Sequence, residues 1–162
     1  MSEKRVSYVA RTEKETIRAG ELLGSILGSG DFVALVGELG SGKTWFTKGL
    51  ALGLGISPET VITSPSFALM NEYEGRLPLF HMDAYRLEEF SAFLATGLEE
   101  YFYEEGVVAM EWADRWPEIL PDTRITVSIT VLEEGSRHIT FSGSNPRSIH
   151  LLKKLEEKLQ KG

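Results

Sequence analysis

The sequence predicts a single α/β domain, and three observations carry that reading. Two apolar runs, "FVALVG" (32–37) and "VVAMEW" (107–112), have the continuous pattern of strands buried on both faces. Segments with apolar residues near helical spacing flank them. A glycine-rich loop joins the first run directly to a helical segment, as strand–loop–helix units require.

Taken in order, "RVSYVA" (5–10) reads as a strand. The segment 12–27 reads as a helix with Ile17, Leu22, Leu23, Ile26 and Leu27 on its apolar side. Thr12 is placed as N-cap, with Glu15 completing a capping box. "GSGD" ends that helix, and a second one is expected from about Lys43 to Leu54. Residues 67–86 read as two strands joined at "EGR", and 87–106 as helical with an interruption at Gly97. "RITVSITVLEEGSRHITFSG" (124–143) alternates and turns at "EEG", a hairpin signature. The closing stretch 146–162 is an amphipathic helix with Ile149, Leu152, Leu155 and Leu159 expected on one side. No internal repeat or linker divides the chain, so residues 1–162 read as one domain, large enough to bury roughly 70% of its unfolded surface.

Composition narrows the function. The 42% hydrophobic and 25% charged content is that of an ordinary globular protein, without an apolar run that could span a bilayer. The N-terminus lacks the apolar core of a signal peptide, and the expected setting is the cytoplasm. The absence of cysteine excludes disulfides, thiolate metal sites and cysteine nucleophiles. A net charge of −7 disfavours a direct grip on nucleic acid, since acidic surfaces repel phosphate backbones.

The chemistry concentrates in "LVGELGSGKTWFTKGL" (35–50). Gly37, four residues, then Gly42-Lys43-Thr44 satisfy the P-loop pattern. Glycines let successive backbone N–H groups face an anion, and the following helix adds its positive end. The expected nucleotide-binding set is Gly37, Glu38, Leu39, Gly40, Ser41, Gly42, Lys43 and Thr44. Lys43 would reach the β and γ phosphates, and Thr44 would offer its hydroxyl to Mg2+. Such a site also needs an acid at the end of a neighbouring strand. Asp83 ends "LPLFHMD" and Glu111 closes the "VVAME" of "VVAMEW". Glu111 is the stronger candidate for the metal, leaving Asp83 to orient water or share the ion. His81 points to the same side as Asp83 and reads as a structural hydrogen-bonding residue rather than a base. Arg86 reads as a neutralising partner of Asp83, a phosphate contact or a surface ion pair. Trp112 reads as core or as a partner or base contact, and Trp45 and Phe46 read as core. Lys48 reads as a solvated helix residue. In "SPSF" (64–67), Ser66 either senses the γ phosphate or belongs to a plain turn.

Together, "GELGSGKT", "SPSF", "HMDAYRL", "LEEYF" and "VVAMEWADR", in this order and over about residues 8–142, resemble the bacterial TsaE (formerly YjeE) family. These are small ATPases required for threonylcarbamoyladenosine formation in tRNA. The resemblance implies a P-loop NTPase-like sandwich with a mainly parallel sheet and antiparallel hairpin additions. It implies ATP as nucleotide, and Mg2+ held at Thr44 and Glu111. It also implies a role for Asp83 in hydrolysis, with Trp112 as companion. It places "TEKET" near the base, so that Thr12, Glu13 or Thr16 would contact it, and brings Arg137 toward the nucleotide. Ser66 stands where the family usually has threonine, and Glu38 where aspartate is common. The implied partners are a TsaD-like tRNA threonylcarbamoyl transferase subunit and its TsaB-like companion, which ATP hydrolysis would reset between turnovers. On that view tRNA is met only indirectly. A small-molecule or protein kinase on the same P-loop is the alternative, though Arg115 and Arg124 are too scattered for an arginine-rich lid. A GTP switch lacks its guanine-reading "NKxD" segment.

Overall fold

The apolar run at 32–36 forms the central strand of a seven-stranded sheet, with a neighbour paired along each edge. The computed structural model describes residues 3–38, 40–65, 69–83, 89–113 and 117–161. Leu39, Ser66 and Arg86 lie outside the described residues.

The strands are β1 (Lys4–Ala10), β2 (Phe32–Val36), β3 (Met70–Tyr73), β4 (Leu79–Asp83), β5 (Val107–Glu111), β6 (Ile125–Val131) and β7 (Arg137–Gly143). Their order is β1-β7-β6-β2-β5-β4-β3. The inner four, β6, β2, β5 and β4, run parallel, while β7, β1 and β3 are joined antiparallel at the two ends. This is the mainly parallel sheet with hairpin additions that the motifs imply.

Helices cover both faces, which the all-apolar inner strands require. Side chains at odd positions in β2 and β5, such as Val33, Leu35, Val107 and Ala109, share one cluster with α1 (Glu13–Ile26), α2 (Lys43–Gly53) and α4 (Pro146–Lys161). Even positions such as Phe32, Ala34, Val108 and Met110 share the other with α3 (Phe90–Thr96) and the 3-10 segment Leu98–Tyr103. Gly97, at φ 74°, ends α3 where the sequence expects the break.

Helix α1 begins as expected, with the Glu15 N–H donating to Thr12 Oγ1 (3.2 Å). The return bond differs from the expected capping box: Glu15 Oε1 accepts from the Arg11 N–H (3.0 Å), one residue before the cap. Gly20 and Gly24 of α1 face Gly49 and Gly53 of α2. A Cβ at Gly49 would fall within the radius of the Ile17 carbonyl oxygen. The two backbones therefore touch, and the start of α1 is carried alongside the start of α2.

In α4 the buried residues are Ser148, Leu151, Leu152 and Leu155, with Leu159 partly buried. Ile149 is only half-buried, so the inward stripe is rotated from the expected one and includes Leu151. No helix among the described residues is long and apolar enough to cross a membrane.

Candidate functional site

Because β2, β5 and β4 are parallel, their C-terminal ends meet at one sheet edge, where ligands of open α/β sheets bind. The glycine loop leaves β2 there. Gly40 (φ 79°) and Gly42 (φ 111°) are in the left-handed region that disfavours other residues. At Gly37 a Cβ would sit 2.6 Å from Ser41 Oγ and 2.9 Å from the Ile129 carbonyl oxygen.

Arg137, at the start of β7, reaches across to this loop. Its Nε donates to the Ser41 carbonyl (2.7 Å), and a terminal nitrogen donates to that of Gly40 (3.4 Å). Since the peptide is trans, fixing the Ser41 carbonyl turns the Gly42 N–H away from the guanidinium. Arg137 thus sets the orientation of a cradle amide as well as lining the cavity.

Lys43 opens α2 and is buried to 5% exposure. Its ammonium donates to the Gly37 carbonyl and lies 4.1 Å from the centre of the Trp112 ring. Thr44 is half-buried and lines a cavity of about 210 Å3 together with Lys43, Ser64, Glu111 and Arg137.

Both strand-end carboxylates arrive at this edge. Asp83 and Glu111 are register partners across β4 and β5, each nearly fully buried, at 4% and 3% exposure. Each has its own partner: Ser64 Oγ donates to Asp83 Oδ2 (2.9 Å), and His81 Nε2 lies 2.6 Å from Glu111 Oε2. His81 forms a hydrogen bond, as expected, and its partner is the neighbouring strand's acid. After Glu111 the chain turns sharply, with Trp112 at φ 61°. A bulky residue there costs on the order of 1–3 kcal/mol, a strain that clusters at functional sites. The Trp112 ring packs partly buried on the second core cluster, so it is both a core contact and a neighbour of the cradle lysine.

A second cavity of about 270 Å3 adjoins the first, sharing Gly42, Trp45 and Arg137 with it. Arg11, Thr12, Glu13 and Thr16 line it too, which brings the "TEKET" segment beside the cradle. The Thr12 hydroxyl is already engaged in capping α1. Among the described residues no three histidine or acidic side chains cluster as a metal cage. That donor pattern, one hydroxyl and acids at a phosphate cradle, suits Mg2+, which binds through a carboxylate or two plus substrate phosphates.

Three features differ from the sequence-based expectation. Trp45 is not core: it is 43% exposed and lines both cavities, whereas Phe46 is fully buried. Lys48 is not simply solvated, since its ammonium donates to the carbonyls of Pro58 (2.9 Å) and Thr60 (2.8 Å) and ties down the loop after α2. In "SPSF", Ser64 is the described serine that reaches Asp83, a role the sequence reading did not assign. Glu38 is exposed, and its carbonyl accepts the Ser41 N–H (3.0 Å).

A strand, a glycine cradle and a helix, with two buried acids on the adjacent parallel strands, define a P-loop NTPase-like α/β protein. A family model described as "Threonylcarbamoyl adenosine biosynthesis protein TsaE" matches residues 10–139, and the chain belongs to that family. A tRNA threonylcarbamoyladenosine biosynthesis protein TsaE of Treponema pallidum is 47% identical over 134 residues, covering 83% of this chain and 98% of the relative. The protein of that name from Bacillus subtilis is 41% identical over 145 residues, covering 89% of each. The crystal structure of Bacillus subtilis YdiB matches with a TM-score of 0.84 at 35% identity, covering 98% of both chains.

Proposed function

We propose that this chain binds ATP with Mg2+ and hydrolyses it in support of tRNA threonylcarbamoyladenosine formation in the cytoplasm. Its partners are a TsaD-like transferase subunit and a TsaB-like companion, reset between turnovers, with tRNA met only through them. The pathway follows from family membership and the relatives' names. The nucleotide chemistry rests on one observation: Lys43, Thr44, Ser64 and Glu111 line a single cavity at the sheet edge, with Asp83 beside Glu111.

In this reading the amides of residues 37–44 and the Lys43 ammonium hold the triphosphate tail. To do so Lys43 exchanges the Gly37 carbonyl for phosphate oxygens. Thr44 and Glu111 would hold Mg2+, which when bound neutralises charge on the phosphate oxygens. Asp83, steadied by Ser64, orients the attacking water and accepts its proton. Trp45 and the start of α1 wall the end of the cavity that the base occupies.

Arg137, which lines the cavity shared with Thr44 and Glu111, directs its donors at loop carbonyls. A donor supplied in trans would offset developing charge on the γ phosphate, a contribution of roughly 10³–10⁵ in rate where it operates. Turnover of the isolated chain is expected to be slow and to rise with the partner complex.

A reconstituted modification assay tests the reading, following modified tRNA and ATP consumed over many turnovers. Product should stall near one equivalent per complex without this chain and continue with it. Equal product in both conditions, or continued product with no ATP consumed, would contradict it.

A further inference from the structure

His81 is fully buried in β4, two residues before Asp83, and its ring nitrogens have unequal surroundings. Nε2 lies 2.6 Å from Glu111 Oε2, while Nδ1 is buried without a hydrogen-bond partner among the described residues. Two lone pairs cannot face each other at that separation, so one proton lies between Nε2 and Oε2, and with Glu111 ionised, as a metal-holding carboxylate must be, Nε2 is the donor. A buried polar atom left without a partner costs about 1–3 kcal/mol. A residue kept solely to fill the core would avoid that cost with an apolar side chain. The compensating contact is the one to Glu111, and it fixes Oε2, leaving Oε1 as the oxygen His81 does not hold.

We propose that His81 is a positioning residue for the cation: by anchoring Oε2 it presents the other Glu111 oxygen to the cavity shared with Thr44. The cation requirement of the site then depends on a residue that lines neither cavity. Outer-shell partners of this kind typically contribute about 10–100-fold to metal affinity. This inference rests on the reading of Glu111 as a metal-holding acid.

Two variants separate positioning from packing. His81→Phe keeps a ring and removes the donor, whereas His81→Gln removes the ring and keeps a donor. Binding of a non-hydrolysable ATP analogue is measured by calorimetry in EDTA and across a Mg2+ titration, with circular dichroism to verify folding. His81→Phe should raise the Mg2+ concentration for half-maximal effect by about tenfold and leave affinity in EDTA unchanged, with His81→Gln close to wild type. If the phenylalanine variant does not fold, His81→Leu is read in its place with the same expectation. An unshifted Mg2+ midpoint in the donor-less variant, or an equal loss of affinity in EDTA, overturns the positioning role alone. A wild-type protein whose analogue binding ignores Mg2+ overturns the metal role of Glu111 and this inference with it.

Discussion

The Lys43 ammonium stands 4.1 Å from the centre of the Trp112 ring, so the start of α2 and the end of β5 touch through a cation–π contact. A partly desolvated pair of this kind is worth about 0.5–2 kcal/mol, small enough for a triphosphate to displace. Nucleotide binding should draw Lys43 off the ring and change the Trp112 emission. A variant with Trp45→Phe and Trp116→Phe isolates that signal. Saturating ATP should shift its fluorescence, and adding Lys43→Ala should abolish the shift.

The cradle lysine and the two acids should fail differently. On the proposed reading Lys43→Ala would remove a contact to bound phosphates and should chiefly weaken nucleotide affinity. Glu111→Ala and Asp83→Ala should slow hydrolysis in the assembled complex, by on the order of 10² or more for Asp83 as a water-orienting base, with smaller effects on binding. Calorimetry paired with steady-state phosphate release checks both. Wild-type hydrolysis by either acid variant would show that its role is misassigned.

Arg137 holds the Ser41 carbonyl at 2.7 Å and the Gly40 carbonyl at 3.4 Å from different nitrogens of one planar fork. Lysine keeps the charge but not the fork. Arg137→Lys should therefore loosen the cradle and reduce ATP affinity about tenfold, a loss of about 1.4 kcal/mol. Unchanged affinity by calorimetry would mean that charge alone matters at this position.

Away from the site, Arg147 of α4 grips Asp31 through Nε (3.2 Å) and a terminal nitrogen (2.9 Å), and its hydrogen bonds to Asp31 push its pKa upward. Asp31 is 6% exposed and also accepts the Gly28 N–H (2.6 Å). Arg147→Met leaves that carboxylate with two hydrogen bonds fewer and should cost about 1–3 kcal/mol. Urea unfolding should show a lower midpoint with an unchanged slope.

Much of this architecture was legible because the signals are local. The run at 32–36 and the alternation of 124–143 each declare their own burial, and Gly97 declares its own break. Asp83 and Glu111 could be placed at strand ends for the same reason. Their side-by-side register could not, since it depends on pairing strands far apart in sequence. The same holds for His81 meeting Glu111 and Ser64 meeting Asp83, contacts that only the fold creates. Trp45 was misjudged because an indole is usually buried, yet here α2 turns it toward the cavities. The Ile149 stripe was misplaced by a small rotation of α4, where Leu151 and Ile149 are equally apolar and only packing separates them.

The most direct measurement is a crystal structure with Mg2+ and a non-hydrolysable ATP analogue. The triphosphate should lie on the amides of 37–44, with the cation between the Thr44 hydroxyl and the Glu111 carboxylate and Asp83 facing the γ phosphate. A cation remote from both acids, or a nucleotide seated elsewhere, would contradict the account.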